Sequence, residues 1–414
     1  MSIRAASHRM GAKILQQLLE CTGSFERERP CGCGQKACFQ ELRPRRLLTA
    51  VGFVRFQRPY YLCSVCHQGQ SPRDAELDVA HTEYSPGVRR MMALVGSQGS
   101  FAQGREQLEE LAGLQVATKA VERQAEAIGS DIAAKEQTER EKAFQLDLPH
   151  LGGPPIPVLY IEMDGTGVPM VNGEIQGRPG KICGESARTR EAKLGCVFTQ
   201  TRQDRKGRPV RDEASTTYTG AIESAPEFGQ RIAREAWQRG WSRAKKKVVI
   251  GDGAEWIWNL VAEHFPGAVE IVDLYHARQH LWEAVRQLFL NDEGKQKTWM
   301  KVHQRLLDRG KIEKLATALR SIDHGNPQLA ERIRSEADYF ARNAERMRYP
   351  KFRRQHLFVG SGVIEAGCKT VIGSRLKQSG MFWTVRGANA ILPLRANRLS
   401  GHFEQYWENR SLAA

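Results

Sequence analysis

The stretch KKVVIGDGAEWIWNLVAEHFPGAVEIVDLYHARQHL (246–281) constrains the fold of this chain most. An apolar run at 247–250 leads to Asp252 between two glycines, then to a helical pattern over 254–264. A second run at 269–273 and a helix from about 275 follow. Strands alternating with helices predict a mixed α/β sheet. The same domain begins after HLGGPPIP (150–157), whose glycines and prolines mark a boundary. There VLYIEMDGTG (158–167) is a short apolar run ending on Asp164, and KLGCVFTQT (193–201) and STTYTG (215–220) supply further strands.

Asp164 and Asp252 each follow an apolar run and are flanked by glycine, where backbone can open a cleft and a carboxylate can hold a cation. Mg²⁺ prefers carboxylates, phosphate oxygens and water. Phosphoryl transfer on nucleic acid uses two such ions, one for the nucleophile and one for the leaving oxygen. Two aspartates are too few ligands, so a third carboxylate is expected. Glu365, in GSGVIEAGCKTVIGSRLK (360–377), supplies it, being the only acidic residue between Glu345 and Glu404. The plainer readings are an Asp-Gly turn for Asp164 and a salt bridge for Glu365. The patterns LWEAVRQLFL, WMKVHQRLLD, KIEKLATALRSI and LAERIRSEADYFARNAERM make 281–350 helical, an insertion between the second and third carboxylates.

Charge favours a polyanionic partner. The 414 residues carry 62 Lys+Arg against 47 Asp+Glu, a formal net of +15, and such a surplus suits phosphate neutralisation. Twelve Lys/Arg face two acidic residues between Arg342 and Arg398. With 41% hydrophobic and 26% charged residues, the composition excludes collagen-like and disordered classes. No apolar run is long enough for a bilayer and the first residues lack a secretion signal, so a cytosolic protein is expected.

Five of the nine cysteines, Cys31, Cys33, Cys38, Cys63 and Cys66, cluster near the front. In a reducing compartment that clustering points to metal. The intervening RRLLTAVGFVRFQRPYYLC (45–63) alternates around Gly52 as two strands joined at a turn, so 25–70 reads as a zinc ribbon. Cys31, Cys33, Cys63 and Cys66 are the first choice of ligands, with Cys38 a substitute and His67 an outside candidate. The alternative is a set of incidental thiols. Behind them, SPGVRRMMALVGSQ (85–98), 101–111 and ATKAVERQAEAIG (117–129) read as helices, the last two arranged as a helix-turn-helix or as an all-α linker. Six Lys/Arg against ten Asp/Glu over 101–150 suit phosphate contact poorly.

The residues also carry a family resemblance. MDGTGVPMV (163–171), VVIGDGAEWIW (248–258), IVDLYHARQHL (271–281) and SGVIEAGCKTVIGSRLKQSGMFWTVRGANAILPLRANR (361–398) resemble the bacterial insertion-sequence DDE transposases of the ISKra-four family. PCGCG (30–34) through RPYYLCSVCHQGQSPRDAELD (58–78) resembles the front of the same family. The resemblance implies an RNase H-like core interrupted by the helical insertion, with Asp164, Asp252 and Glu365 as its Mg²⁺- or Mn²⁺-binding triad. It also draws in Asp273 and His276 as supporting residues near the cleft. Lys369, Arg375, Lys377 and Arg386 are then placed to grip phosphates, and Trp383 to stack on an unpaired base; a packed histidine and a core tryptophan are the competing readings.

The activity this implies is cleavage at transposon ends followed by strand transfer into target DNA. Its partners would be terminal inverted repeats and target DNA, acted on by a dimer or larger assembly near the nucleoid. A silent DNA-binding descendant and an RNase H-like structure-specific nuclease are the alternatives. The expected domains are a zinc-ribbon-like region (1–80), a helix-turn-helix-like region (81–150), the core (151–280), the insertion (281–350) and the rest of the core (351–414).

Overall fold

The structure, a computed structural model, describes residues 3–20, 25–144, 152–180, 186–322 and 325–412. Cys21, Cys183 and the first two residues of the 150–157 stretch lie outside them. The chain forms two compact units, 1–130 with 402–414, and 131–401.

The first unit contains α1 (Ile3–Leu19) and a four-stranded antiparallel sheet, β1 (Glu28–Pro30), β2 (Lys36–Thr49), β3 (Gly52–Cys63) and β4 (Gly69–Gln70), in sequential order. The β2–β3 hairpin turns through Ala50 and Val51, with Thr49 opposite Gly52. Gly52 sits at φ +100°, a conformation that a β-branched residue would resist. Then come α2 (Pro72–Glu76), α3 (Pro86–Gln98), α4 (Phe101–Ala112) and α5 (Thr118–Phe144). Ser85 caps α3 and Ser100 caps α4 through their hydroxyls, and Gly113 closes α4 in the left-handed conformation. The last helix is 27 residues long, well beyond the expected 117–129, because Gly129 sits inside a helix that continues.

The expected region 1–80 and residues 81–130 of the expected region 81–150 fall in one unit, and residues from 131 onward fall in the other. Leu48 of the hairpin packs in one cluster with Val88, Met92, Leu108, Leu114 and Val121 of the helices, which joins the two parts, although the hairpin also has its own cluster of Leu47, Val54, Phe56 and Val79. The C-terminal helix Phe403–Leu412 belongs here too, not to the second unit. Arg90 Nε pairs with Glu404 at 3.2 Å and Arg410 with Asp78 at 2.8 Å.

The second unit is built on β5 (Ile156–Pro169) and β6 (Thr189–Gln200), separated by α6 (Asn172–Ile175). After a small β7–β8 hairpin (Arg202–Gln203, Pro209–Val210) come β9 (Thr217–Ala221), α7 (Ala225–Gln238), β10 (Ala244–Gly251), α8 (Glu255–His264) and β11 (Val269–Val272). The main sheet has the order β11-β10-β5-β6-β9. The β5–β6 and β6–β9 pairs are antiparallel, whereas β10 runs parallel to both β5 and β11. The mixed α/β sheet expected from 246–281 is present. β5 differs from the expectation: it does not stop at Asp164 but continues to Pro169, because each residue from 164 to 169 still pairs with β6.

Helices cover both faces of β6, which explains its nearly unbroken apolar run. Gly195 faces α7, where a Cβ would lie 2.6 Å from Ile232. Adjacent Leu194 points the other way, toward Gly367. Beyond β11 run α9 (Leu274–Leu288), α10 (Glu293–Asp308), α11 (Ile312–Arg320) and α12 (Pro327–Arg342), the expected helical stretch. The chain returns through α13 (Tyr349–Arg354), α14 (Gly362–Gly367), a π-helical turn at Cys368–Gly373, α15 (Ser374–Leu376) and α16 (Val385–Leu399).

Candidate metal centre and carboxylate site

In the first unit, Cys31 and Cys33 precede β2 while Cys63 ends β3 and Cys66 lies in the following turn. The Ala37–Cys63 pairing of the hairpin brings the two ends together. The Sγ atoms of Cys31 and Cys66 are 3.5 Å apart, those of Cys33 and Cys63 are 3.7 Å apart, and all four lie within 4.8 Å. Four thiolates bound tetrahedrally at about 2.3 Å would be about 3.8 Å from one another, so donor type and spacing both fit Zn²⁺. Backbone N–H groups of Cys66 and Val65 draw the Cys63 thiol down to about 6, which favours its thiolate, whereas Cys66, against the lowering pull of the Gln68 N–H, is pushed up to about 12, chiefly by its contact with Cys31. Cys38 is exposed and outside the group. His67 is outside it as well.

In the second unit, β5 carries Asp164 and β10 ends immediately before Asp252. The parallel register pairs Ile250 with Glu162, so two residues further along each strand Asp252 leaves the sheet level with Asp164. Burial lifts the Asp164 carboxyl above its ordinary range, and the negative charge of Asp252 adds to the shift. Asp164 Oδ1 accepts from its neighbour Gly165 at 2.7 Å and Oδ2 from the Cys368 thiol at 3.4 Å. Asp252 Oδ1 accepts from Ala254 N–H at 2.9 Å. Between them Gly253, at φ +98°, leaves room for the Tyr339 ring, which would approach a Cβ there within 2.6 Å. Tyr339 on α12 also donates its hydroxyl to the Asp252 carbonyl at 2.8 Å.

Glu365 projects exposed from α14. Two buried carboxylates anchor the start of that helix. Asp273, wholly buried, caps α9 by accepting from Tyr275 and His276 N–H, and its other oxygen accepts both the N–H and the hydroxyl of Ser361. Glu162, also wholly buried, accepts from Ile364 N–H at 2.8 Å. Burial raises Glu162 to about 8, with the charges of Asp273 and Glu365 contributing. One turn after Glu365, Cys368 reaches Asp164, so the Glu365 helix is tied to the Asp164 strand. Among the described residues the four cysteines form the ligand group gathered within 4.8 Å; Asp164, Asp252 and Glu365 are not gathered so closely.

The supporting and basic residues divide sharply. The His276 ring lies 5.0 Å from that of His280. His280 in turn stacks on Tyr339 at 4.0 Å and contacts Glu336 at 2.7 Å. Lys369, Lys377 and Arg386 are exposed, and Lys377 donates to Thr166, two residues beyond Asp164 on β5. Arg375 and Trp383, expected to face DNA, are instead in the interior. Arg375 is 0% exposed, lies 4.8 Å from the Trp383 ring and has its pKa lowered to about 10 by burial. Trp383 donates its indole N–H to Leu376 at 3.1 Å and exchanges backbone hydrogen bonds with Pro169 and Val171. The basic segment is thus only partly a phosphate surface. Arg395 is buried, while Arg346 and Arg348 pair with Glu270 and Glu313.

Sequence reasoning missed Glu162, Ser361 and Tyr339. A charged residue inside the apolar run VLYIEMD was a signal for the first; nothing local marked the other two.

No family model matches the chain. Over 377 residues it is 23% identical to the UPF0236 protein in the vanSb 3' region of Streptococcus gallolyticus, covering 89% of this chain and 75% of that protein. Among solved structures, the Drosophila P element transposase strand transfer complex aligns at 11% identity and a TM-score of 0.27. That alignment covers 82% of this chain and 84% of the other. No described helix is long and apolar enough to cross a membrane.

Proposed function

We propose that the chain is a DDE-type DNA transposase with an RNase H-like core, related to the ISKra-four insertion-sequence enzymes. The observation that carries this reading is the parallel β5–β10 pairing. It sets Asp164 and Asp252 on adjacent strands, while α14, tied to Asp164 through Cys368, presents Glu365. Counted along the chain, the sheet order is 5-4-1-2-3 with the first three strands antiparallel, which supports the reading of an RNase H-like core. The helical stretch separates the second carboxylate from the third.

Asp164, Asp252 and Glu365 are hard oxygen donors suited to Mg²⁺ or Mn²⁺, which when bound would supply charge neutralisation and an activated nucleophile. Asp273 and Glu162 act behind them by fixing the start of α14. His276, whose backbone N–H donates to Asp273 at 2.8 Å, supports the same end of the site. Lys369, Lys377 and Arg386 meet the phosphates flanking the reacting bond. Water attacks phosphorus at the transposon end, forming a new P–O bond and expelling the 3′ oxygen, which leaves as a hydroxyl. That hydroxyl attacks phosphorus in target DNA and displaces the target's 3′ oxygen, so one phosphodiester replaces another and no further energy source is needed. Joining two ends calls for at least two copies of the chain. The four-cysteine centre holds structural Zn²⁺.

The test uses purified protein, Mg²⁺ and DNA carrying the element's ends. Wild type is expected to cleave the ends and, given pre-cleaved ends, to join them to a plasmid; Asp252→Asn and Glu365→Gln are expected to do neither while still binding DNA. Hydrolysis without joined product would make the protein a nuclease. Undiminished excision by either variant would remove the catalytic assignment.

A further inference from the structure

The sequence directs attention to the helices behind the cysteines as the reader of DNA, but charge and exposure single out a different element of the first unit. The hairpin segment 36–63 holds six Lys/Arg against one acidic residue, Glu41, whereas 101–130 holds three against five. Most of the hairpin cations are used internally: Arg58 pairs with Asp74, Arg45 donates to the Val79 carbonyl, Lys36 pairs with Glu28 and Arg43 with Glu41. Arg46 and Arg55 are left without an acidic partner among the described residues. They stand directly opposite each other across β2 and β3, both exposed.

Like charges directly opposite on a sheet face repel, and a fold retains such a pair at a cost unless an anion meets it. On the same face Leu48 is buried against the helices at one end, and the part from Phe53 toward Pro44 and Gln57 is open. Phe53 is 52% exposed, with the Arg46 guanidinium 3.8 Å from its ring centre, and the next pair along is Pro44 with Gln57. The reverse face is closed, because Leu47, Val54 and Phe56 are buried with Ala12 and Leu15 of α1. A two-stranded ribbon stiffened from behind by a helix, with a basic and aromatic front, fits the major groove of B-form DNA. The major groove of A-form RNA is too narrow to admit it.

We infer that the β2–β3 ribbon, rather than the helices that follow it, is the DNA-contacting element of the first unit, with Arg46 and Arg55 on the duplex. This rests on the reading of the protein as DNA-binding and says which surface does the binding.

The experiment measures the affinity of the full-length protein for a short mixed-sequence DNA duplex across a salt series. Wild type, Arg46→Ala/Arg55→Ala and the charge-matched Lys119→Ala/Arg123→Ala are compared. Removal of two phosphate contacts should make the salt dependence shallower by about 2 and weaken binding roughly tenfold or more at moderate salt. The α5 variant should match wild type. Zinc content of the ribbon variant should be unchanged and its melting temperature no lower, since a repulsive pair is removed. Should the alanine pair misfold, Arg55→Gln alone keeps the test open, with a slope change of about 1. An unchanged slope in a folded ribbon variant, or a loss confined to the α5 variant, overturns the ribbon assignment and leaves the catalytic reading intact. Equal affinity for duplex RNA through the same arginines overturns the choice of DNA. A wild-type protein that binds no DNA overturns both readings, whereas Asp252→Asn binding like wild type keeps them separate.

Discussion

The hydroxyl of Tyr339 donates to the main-chain oxygen of Asp252 at 2.8 Å, and its ring fills the space beside Gly253. A residue from the helical insertion thus sets the backbone of a strand-end turn 87 positions earlier. The insertion is therefore part of the carboxylate site. Tyr339→Phe keeps the ring and removes one hydrogen bond, which should cost about 1 kcal/mol in stability. Cleavage should fall by about tenfold or more if the turn drifts. Thermal melts and end-cleavage rates on the same preparation check this. Wild-type cleavage by Tyr339→Phe would deny the insertion its positioning role.

The four thiols predict a selective response to metal removal. Cys66→Ser should lower bound zinc from one ion per chain to near zero and reduce the melting temperature, since metal affinity of a structural site contributes directly to folding. Cys38→Ser should change neither, because Cys38 is exposed and outside the cluster. Metal analysis by mass spectrometry with paired melts decides it. Zinc lost from Cys38→Ser and retained in Cys66→Ser would reassign the ligands.

His303 gives the insertion a pH dependence of known sign. Its ring stacks on Trp299 at 3.6 Å, its Nδ1 lies 2.8 Å from the Trp299 carbonyl, and burial pushes its pKa below the ordinary value of 6.5. The native state then holds fewer protons than the unfolded chain just below that value. Stability is full above it and declines as the pH falls from about 6.5 toward the lowered native value. His303→Gln should lose part of this decline. Melting curves over that range would show it, and identical slopes in both proteins would remove His303 as a cause.

Much of the architecture was readable because its signals are local. Asp252 is announced by an apolar run, two flanking glycines and a helix start, and the cysteine spacing implied the convergence that the hairpin register produces. The errors have non-local causes. Asp164 looked like the end of a strand because Gly-Thr-Gly resembles a turn, yet pairing with β6 carries the strand to Pro169. Glu162 stood out as a charge inside an apolar run, but its role depends on Ile364, 202 positions away. Arg375 and Trp383 read as surface groups in a basic segment. Their burial follows from the chain folding back so that Trp383 bonds to Pro169 and Val171, a contact no local pattern encodes.

That burial separates the cations of the C-terminal segment into two groups that mutation should distinguish. Arg375 lies in the interior against Trp383, with Met381 Sδ 3.5 Å from its Nη1. Arg375→Ala removes packing as well as charge and should destabilise the fold by about 2–4 kcal/mol. Any loss of DNA binding should accompany that instability. Lys369→Ala and Lys377→Ala concern exposed side chains, where melts should move by less than about 0.5 kcal/mol. Each should nevertheless weaken DNA binding and make its salt dependence shallower by about 1. A folded Arg375→Ala protein with a wild-type melt and a shallower salt slope would return Arg375 to the DNA surface. Because Lys377 also donates to Thr166 beside Asp164, its variant should additionally slow cleavage at saturating DNA, whereas Lys369→Ala should act on binding alone.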